Sequence, residues 1–553
     1  MATTTASHFV NRQRLPSAQR QPLAAIAFGL IAAFAAIGVQ SLRLALRGPS
    51  QGARANVAEP LVRVYSRPDI VDAKGRLLAT DLMAHSLFAD PTLVIDADEA
   101  SEQISSILRD IDPADLRHQL ADKNRRFVWI RRGLSPAIAQ RIHDLGLPGI
   151  AFRNEPRRVY PQGRMAGHIL GSVGIDNRGL AGIERHIDEM LGLETSYSAA
   201  DTSRAPVALT LDIGAQHALE EELALALARY GATGAAGVIL DPATGAVLAA
   251  ASLPDADPAR PGESLLADRI DRLSGAVYEL GSIMKVFTVA MALDSGIATP
   301  STILDVRVPV QAGGWTIRDM APAGRPLSVR EVLVQSSNVG SALLALQAGT
   351  ERQRAFMVRA GLIEPMRMEA GPLGVPRIPE RWRDAETATI AYGYGMALSP
   401  MQAAAGFAAL VNGGLSVAPH VAASIPGVTR TAGDRRHVVS EATSAAMRDM
   451  LRRAVTQTGA TGRRADVPGL EVGGKTGTAE MAVRGGYRAK SVVASFLGAF
   501  PMSAPRYVVL VTLVEPRPGL DGDSDRITAG VNAAPVAARI IARSAPALGV
   551  APH

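Results

Sequence analysis

Three short groups of residues carry side chains whose types and spacing allow them to do chemistry together. In "YELGSIMKVFTVAMALDSG" Ser282 opens an apolar helical run, and Lys285 stands three residues on. Positions three apart share a helix face about one turn apart, so a neutral Lys285 amine reaches the Ser282 hydroxyl and takes its proton. Gly281 leaves the backbone open at the helix start, where free amides favour negative charge developing on a substrate oxygen. The pair predicts a nucleophile, its base and part of an oxyanion site. A Ser and a Lys on any surface helix have the same spacing, so the pair alone does not decide.

The second group is Ser336, Ser337 and Asn338. Ser328 and Glu331 form a capping box that starts the helix "VREVLVQ", and "VGSALLALQ" resumes helically, so "SSN" falls in a break that aims a hydroxyl and an amide into a cleft. An ordinary turn between helices is the alternative. The third group lies in "VPGLEVGGKTGTAE" and admits two chemistries: GxxxxGKT of a phosphate-cradling loop, or KTG of serine enzymes. A phosphate loop must run into a helix. After Thr476 come Gly477, a short polar stretch and the strand-like "SVVASFLGAF", which leaves no helix for a phosphate. As a strand, Lys475 offers a cation to a substrate carboxylate and Thr476 and Thr478 offer hydroxyls. Gly477 lets a substrate backbone lie close, and the Thr478 amide is a second oxyanion donor.

The elements that must position these groups follow from patterning. "GAAGVILDPATGAVLAAAS" reads as two strands around an Asp-Pro-Ala-Thr-Gly turn, "SVVASFLGAF" and "RYVVLVTLVE" as two more, and "IMKVFTVAMALDSG", "SVREVLVQ" and "AAPVAARIIARSA" as helices. A central hairpin-built sheet with helices against it is predicted. Upstream, "RPDIVDAKGRLLATD" and "RRVYPQGRMAGHILGSVG" alternate strands and helices without a His, Asp and Glu constellation, as a scaffold or interaction domain would.

The chain has 553 residues, 47% hydrophobic and 20% charged, which suits two or more folded domains. Net charge is +6, but the arginines are dispersed and only 4% of residues are aromatic, so nucleic acid is excluded as a partner. There is no cysteine, which removes disulfides, thiolate zinc sites and Cys nucleophiles. The lysines are only Lys74, Lys123, Lys285, Lys475 and Lys490; a lysine kept in so Arg-rich a chain suits a place where an amine must lose its proton. Residues 21–42, "QPLAAIAFGLIAAFAAIGVQSL", carry no charge and have the length of one membrane span, with a tail of residues 1–20 before it and a polar linker of residues 43–60 after it. Arg12, Arg14 and Arg20 balance Arg43, Arg47 and Arg54, so charge bias leaves the orientation open.

With Ser282, Ser336 and Lys475 spaced 54 and 139 residues apart, the chain resembles the penicillin-binding protein and serine β-lactamase superfamily, whose SxxK, S-x-N and KTG elements occur in this order. "RRVYPQGRMAGHILG", "GLAGIERHID", "LDPATGAVLAAASLP", "YGYGMALSPMQ" and "ASFLGAFP" resemble class B penicillin-binding proteins, most closely the cell-division, FtsI-like type. Leu280 stands where that family often has Pro, and Pro68 where it often has Gly; neither touches a reacting group.

The resemblance implies an α/β (α+β) protein with one N-terminal transmembrane helix. A mixed α/β noncatalytic pedestal over residues 61–200 and a transpeptidase domain over residues 201–545 with a central antiparallel sheet follow it. It implies an inner-membrane, single-pass D,D-transpeptidase with its catalytic domain outside the cytoplasm, needing no cofactor or metal. Its substrates would be peptidoglycan stem peptides, its inhibitors β-lactams, and its partners a polytopic wall glycosyltransferase and division proteins. Catalysis would rest on Ser282, Lys285 and Ser336, substrate binding on Asn338, Lys475, Thr476, Gly477 and Thr478, and the oxyanion site on the amides of Ser282 and Thr478. An elongation-type transpeptidase, a β-lactamase and a penicillin-sensing receptor are the alternatives. The β-lactamase needs a water-activating carboxylate for which no acidic helical segment stands out, and the receptor usually has more spans.

Overall fold

The computed structural model describes residues 67–192, 205–429, 435–483, 486–519 and 526–552. The predicted span 21–42 lies outside them except for Ala32, Ala35, Ala36, Gly38 and Val39, and among the described residues no helix is long and apolar enough to cross a membrane. The first strands are β1 (Ile70–Val71), β2 (Leu77–Ala89), β3 (Val128–Leu134) and β4 (Ile150–Val159). The long β2 pairs antiparallel with all three. Helices Ala97–Ile107, Pro113–Ala121 and Pro136–His143 start on the side-chain caps of Asp96, Asp112 and Ser135. Their apolar faces bury Ile104, Leu116, Leu120 and Ile142 with Leu87 of β2.

Charge rather than chemistry occupies the interior of this scaffold. Glu184 is fully buried and accepts from Arg67 Nε at 2.9 Å and from Arg158 Nε at 2.7 Å. Arg67 also meets Asp188 at 2.5 Å and Arg158 meets Asp81 at 3.1 Å, while Asp81 takes the Arg67 amide and the Asn177 side chain. The network joins Arg67 to two distant segments. Buried charges persist only when paired and hydrogen-bonded.

Downstream, β5 (Val207–Leu209) leads into α1 (Ile213–Tyr230). The predicted hairpin is β6 (Gly234–Leu240) and β7 (Val247–Leu253), its turn closed on the Asp241 carboxylate by the Ala243 amide and the Thr244 hydroxyl. The helices α2 (Met284–Asp294), α3 (Val329–Gln335), α4 (Asn338–Ala348), α5 (Pro400–Val411) and α6 (Glu441–Thr456) follow. The chain ends through β8 (Ala422–Ser424, before α6), β9 (Gly473–Val483), β10 (Gly486–Phe500), β11 (Tyr507–Val514) and α7 (Ala533–Ser544).

Strands β9-β10-β11-β6-β7 form one antiparallel sheet in that order. Alternate side chains point to opposite faces. Val508 and Leu510 join a core with Val286, Phe287 and Met447 of α2 and α6, while Val509, Val511 and Leu513 join one with Leu219, Leu223 and Ile540 of α1 and α7. Burial on both faces explains why "RYVVLVTLVE" shows no polar alternation.

The scaffold and the catalytic half share a sheet: β1 pairs parallel with β5, which pairs antiparallel with β8. That sheet crosses the predicted boundary at residues 200 and 201. Lys74 and Arg76 also bond Asp212 at the start of α1.

Replacing Glu184 by Gln should remove the shared anion and leave two buried guanidiniums facing a neutral amide. A loss of about 3 kcal/mol or more in urea denaturation of the purified protein is expected; a loss below about 1 kcal/mol would show that the network is not what fastens residue 67 to the scaffold.

Candidate active site

Ser282 lies in a short 3-10 turn, Gly281–Ile283, that runs directly into α2. Gly281 has φ +53°, and a Cβ there would stand 2.5 Å from the Thr478 carbonyl oxygen of β9, so the turn needs both the left-handed conformation and the close approach. From Met284 to Ala292 every residue of α2 is buried, which carries Lys285 into the core at 1% exposure. The predicted capping box of Ser328 and Glu331 is present at the start of α3. Ser336 ends α3 with φ +62°, and Ser337 caps α4 by accepting from the Gly340 amide at 2.9 Å. The break in "SSN" is thus one left-handed residue between two capped helix ends.

This turn is where the side chains converge. Lys285 Nζ donates to the Ser336 carbonyl at 2.5 Å, to Ser336 Oγ at 3.1 Å and to Asn338 Oδ1 at 2.6 Å. Ser336 Oγ in turn donates to Ser282 Oγ at 3.0 Å. The amine therefore meets the nucleophile through Ser336, whereas the i, i+3 spacing alone suggests a direct contact.

The strand expectation for "GGKTGT" is realised as β9, which turns back into β10 with no helix after Thr476; the phosphate-loop alternative lacks the element that it requires. β9 is an edge strand of its sheet. An edge strand keeps unpaired backbone groups along one side, and an extended peptide adds there. Lys475 is 1% exposed, and its Nζ donates to the Thr476 carbonyl at 3.1 Å and to Thr461 Oγ1 at 3.4 Å. Thr476 Oγ1 donates to Thr461 Oγ1 at 2.6 Å, and Thr478 Oγ1 accepts from the Ala529 amide at 3.0 Å, so both hydroxyls already have partners. Gly477 also serves the packing of the strand itself. A Cβ on it would lie 2.2 Å from the Leu280 carbonyl oxygen and 2.8 Å from an Ile283 side-chain atom, so its missing side chain lets β9 close on the nucleophile turn.

Two buried amines in one site cannot both hold their protons comfortably. Burial, and then the charge of Lys475, push the Lys285 amine well below its usual value, and burial pushes Lys475 down to about 7. Neither forms an ion pair among the described residues. With its amine pushed well below the usual lysine value and one hydroxyl away from Ser282, Lys285 is suited to moving a proton off a serine that attacks a carbonyl.

Sequence reasoning did not single out four neighbours. Thr461 holds Lys475 and Thr476, and the carboxylate of Asp319 reaches the "SSN" turn from a distant loop. Nothing in the local pattern of either segment signals this. Glu279, three residues before Ser282, accepts from the Gly395 amide at 2.8 Å and the Tyr487 hydroxyl at 3.3 Å, and burial pushes its carboxyl up. Tyr394 packs edge-on to Tyr487 at 5.5 Å, completing an aromatic wall beside the nucleophile turn. Only Glu279 carried a signal, its nearness to the serine in "YELGS".

Comparison with known proteins agrees with this geometry. Residues 235–542 match the family model described as penicillin binding protein transpeptidase domain, and residues 64–198 match the penicillin-binding protein dimerisation domain. The chain is 38% identical over 493 residues to the probable peptidoglycan D,D-transpeptidase FtsI of Caulobacter vibrioides, covering 88% of this chain and 82% of that one. It is 31% identical to the probable peptidoglycan D,D-transpeptidase PenA of Neisseria gonorrhoeae, covering 88% and 85%, and 29% identical to FtsI of Escherichia coli, covering 82% and 80%. In fold it is similar to penicillin binding protein 3 of Mycobacterium tuberculosis, solved with aztreonam, at a TM-score of 0.68 and 24% identity over 88% of this chain and 97% of that one. A serine, two buried amines and an S-x-N turn set between a helix and an edge strand, in a chain that matches both family models and is 38% identical over 493 residues to an FtsI, mean that this protein belongs to the class B penicillin-binding proteins of the FtsI-like type.

Proposed function

We propose that the protein is a peptidoglycan D,D-transpeptidase that cross-links stem peptides through an acyl-enzyme on Ser282, in septal wall synthesis during cell division. The observation that carries this is the chain of contacts from Lys285 through Ser336 to Ser282, built around an amine that burial keeps neutral. The proton of Ser282 passes to Lys285 by way of Ser336 Oγ, since both hydroxyls rotate. Ser282 Oγ attacks the penultimate D-alanine carbonyl of a stem ending in D-Ala-D-Ala, and the amides of Ser282 and Thr478 hold the oxyanion. Ser336 returns the proton to the amine of the departing D-alanine as the C–N bond breaks. The amine of a neighbouring stem then attacks the ester, loses its proton by the same path and releases Ser282. Asn338 holds the substrate amide, and Lys475 with Thr476 and Thr478 receives the terminal carboxylate along β9, with Gly477 bringing that strand close. β-Lactams mimic the donor and leave Ser282 acylated.

The same reading assigns residues 1–20 to a cytoplasmic tail, 21–42 to one inner-membrane span, 43–60 to a linker, 61–200 to the pedestal and 201–545 to the transpeptidase domain outside the cytoplasm. A polytopic wall glycosyltransferase and other division proteins are the partners this role implies. An elongation role is the alternative, because the three motifs serve both; the FtsI name of the relatives favours the septum. Imaging a tagged copy in dividing cells should place it at midcell, and a uniform lateral pattern would select the elongation role.

A fluorescent penicillin should label the protein stably, and Ser282→Ala should abolish labelling; label surviving that change would remove Ser282 as the nucleophile. The pH dependence has a definite sign. Lys285 must be neutral, so acylation rises with pH through its depressed pKa, whereas Lys475 must be charged to hold a carboxylate and loses its proton above about 7. For a penicillin bearing a carboxylate, the second-order acylation constant should fall as pH climbs past about 7, with the loss in binding rather than in the acylation step. A profile flat to strongly alkaline pH would mean that Lys475 is not the carboxylate's cation.

A further inference from the structure

Asp319 follows the short strand Trp315–Ile317 on an excursion where Ile317 is buried but Trp315 is 69% and Met320 is 93% exposed. Asp319 is half-buried and turned the other way. Its Oδ1 accepts from the Asn338 amide at 2.5 Å and the Val339 amide at 3.0 Å, and its Oδ2 accepts from Ser337 Oγ at 2.7 Å. The preceding carbonyl, of Arg318, accepts from Asn338 Nδ2 at 3.1 Å. That contact fixes which way the Asn338 amide points, and so presents Oδ1 to Lys285 at 2.6 Å. The "SSN" turn contains a non-glycine residue at φ +62°, a conformation that persists only where surrounding contacts hold it. Lys285 and the Val332 carbonyl hold Ser336 itself, and residues 318 and 319 hold the Ser337, Asn338 and Val339 groups that follow it.

We propose that Asp319 is a positioning residue of the acylation reaction: it clamps the Ser336–Asn338 turn onto Lys285 and sets a carboxylate near that amine. The inference rests on the reading of Ser282 as an acylated nucleophile. The groups facing Lys285 are Ser282 ahead of its own helix, Ser336 and Asn338 from the turn, Lys475 from β9 and Asp319 from the excursion. Lys475 and burial act to lower the Lys285 amine, and Asp319 acts to raise it. The carboxylate opposes that descent, so removing its charge lowers the amine further and weakens it as a base.

The test is the pH profile of fluorescent-penicillin acylation on the purified full chain, compared across the wild type, Asp319→Asn and Asp319→Glu. Asparagine keeps the shape and one acceptor but removes the charge, so the acid limb should move to lower pH by about half a unit or more while the plateau rate falls about tenfold. Glutamate keeps the charge and misplaces the acceptors, so the plateau should fall and the limb should move far less. A role confined to structure would slow both variants equally at every pH and shift neither limb; that result, or an equal shift in both, overturns the inference. Thermal melting of both variants within a few degrees of the wild type excludes misfolding as the cause, and if Asp319→Asn melts early, the limb of Asp319→Glu compared with that of Asp319→Ser decides. The Ser282→Ala control separates the two levels: label that survives it sinks the acylation reading, while Ser282-dependent label with an unshifted limb sinks only the part given to Asp319.

Discussion

Everything around the active site answers to one constraint, the burial of two lysine amines in the same dry space. An unpaired ammonium in a protein interior is costly enough that the group gives up its proton instead. Lys285 and Lys475 are both 1% exposed, and the charge of Lys475 adds to the difficulty of Lys285. The protein meets the cost with acceptors rather than counter-ions: the Ser336 carbonyl, Ser336 Oγ and Asn338 Oδ1 for one amine, and the Thr476 carbonyl and Thr461 Oγ1 for the other. Among the described residues neither amine has a carboxylate in contact to hold it charged. The base is produced by its surroundings.

That burial dictates the neighbouring architecture. A helix with a lysine in its first turn inside the core must be apolar on every side, and α2 is buried at each position from Met284 to Ala292. The helix must also start where substrate can reach it, which the left-handed Gly281 achieves by bending the turn against the Thr478 carbonyl. β9 closes from the other side only because Gly477 carries no side chain to strike Leu280 and Ile283. Two glycines on two elements thus set the width of one cleft. Backbone contact at this distance tolerates no intervening methyl group.

The scaffold buries charges by the opposite rule. Arg67, Arg158, Glu184, Asp81 and Asp188 each have opposite charge in reach. Among the described residues neither active-site amine forms an ion pair, whereas each charge of the scaffold network does. Titratable groups buried in the same chain differ in function through how completely they are paired.

Much of this was legible in the residues themselves. The capping box at Ser328 and Glu331, the Asp241 hairpin, the strands of "SVVASFLGAF" and "RYVVLVTLVE" and the break at Ser336 are local facts, written within a few residues of where they act. The serine, the lysines and the S-x-N group were legible because their chemistry needs particular side chains. Other features required the tertiary structure. Lys285 reaches Ser282 through Ser336, 51 residues from the lysine, and no helix spacing encodes that detour. Asp319 and Thr461 are polar residues in unremarkable loops until folding sets them against the turn and the strand. Gly477 was read as leaving room for substrate because a sequence does not show what packs across a strand. The sequence by itself determined the reacting groups, their elements and the class of chemistry, because these depend on side-chain type and local pattern. Only the tertiary structure decided which amine is neutral, which hydroxyls already have partners and which carboxylate faces the turn, because burial and distance are properties of segments brought together from afar.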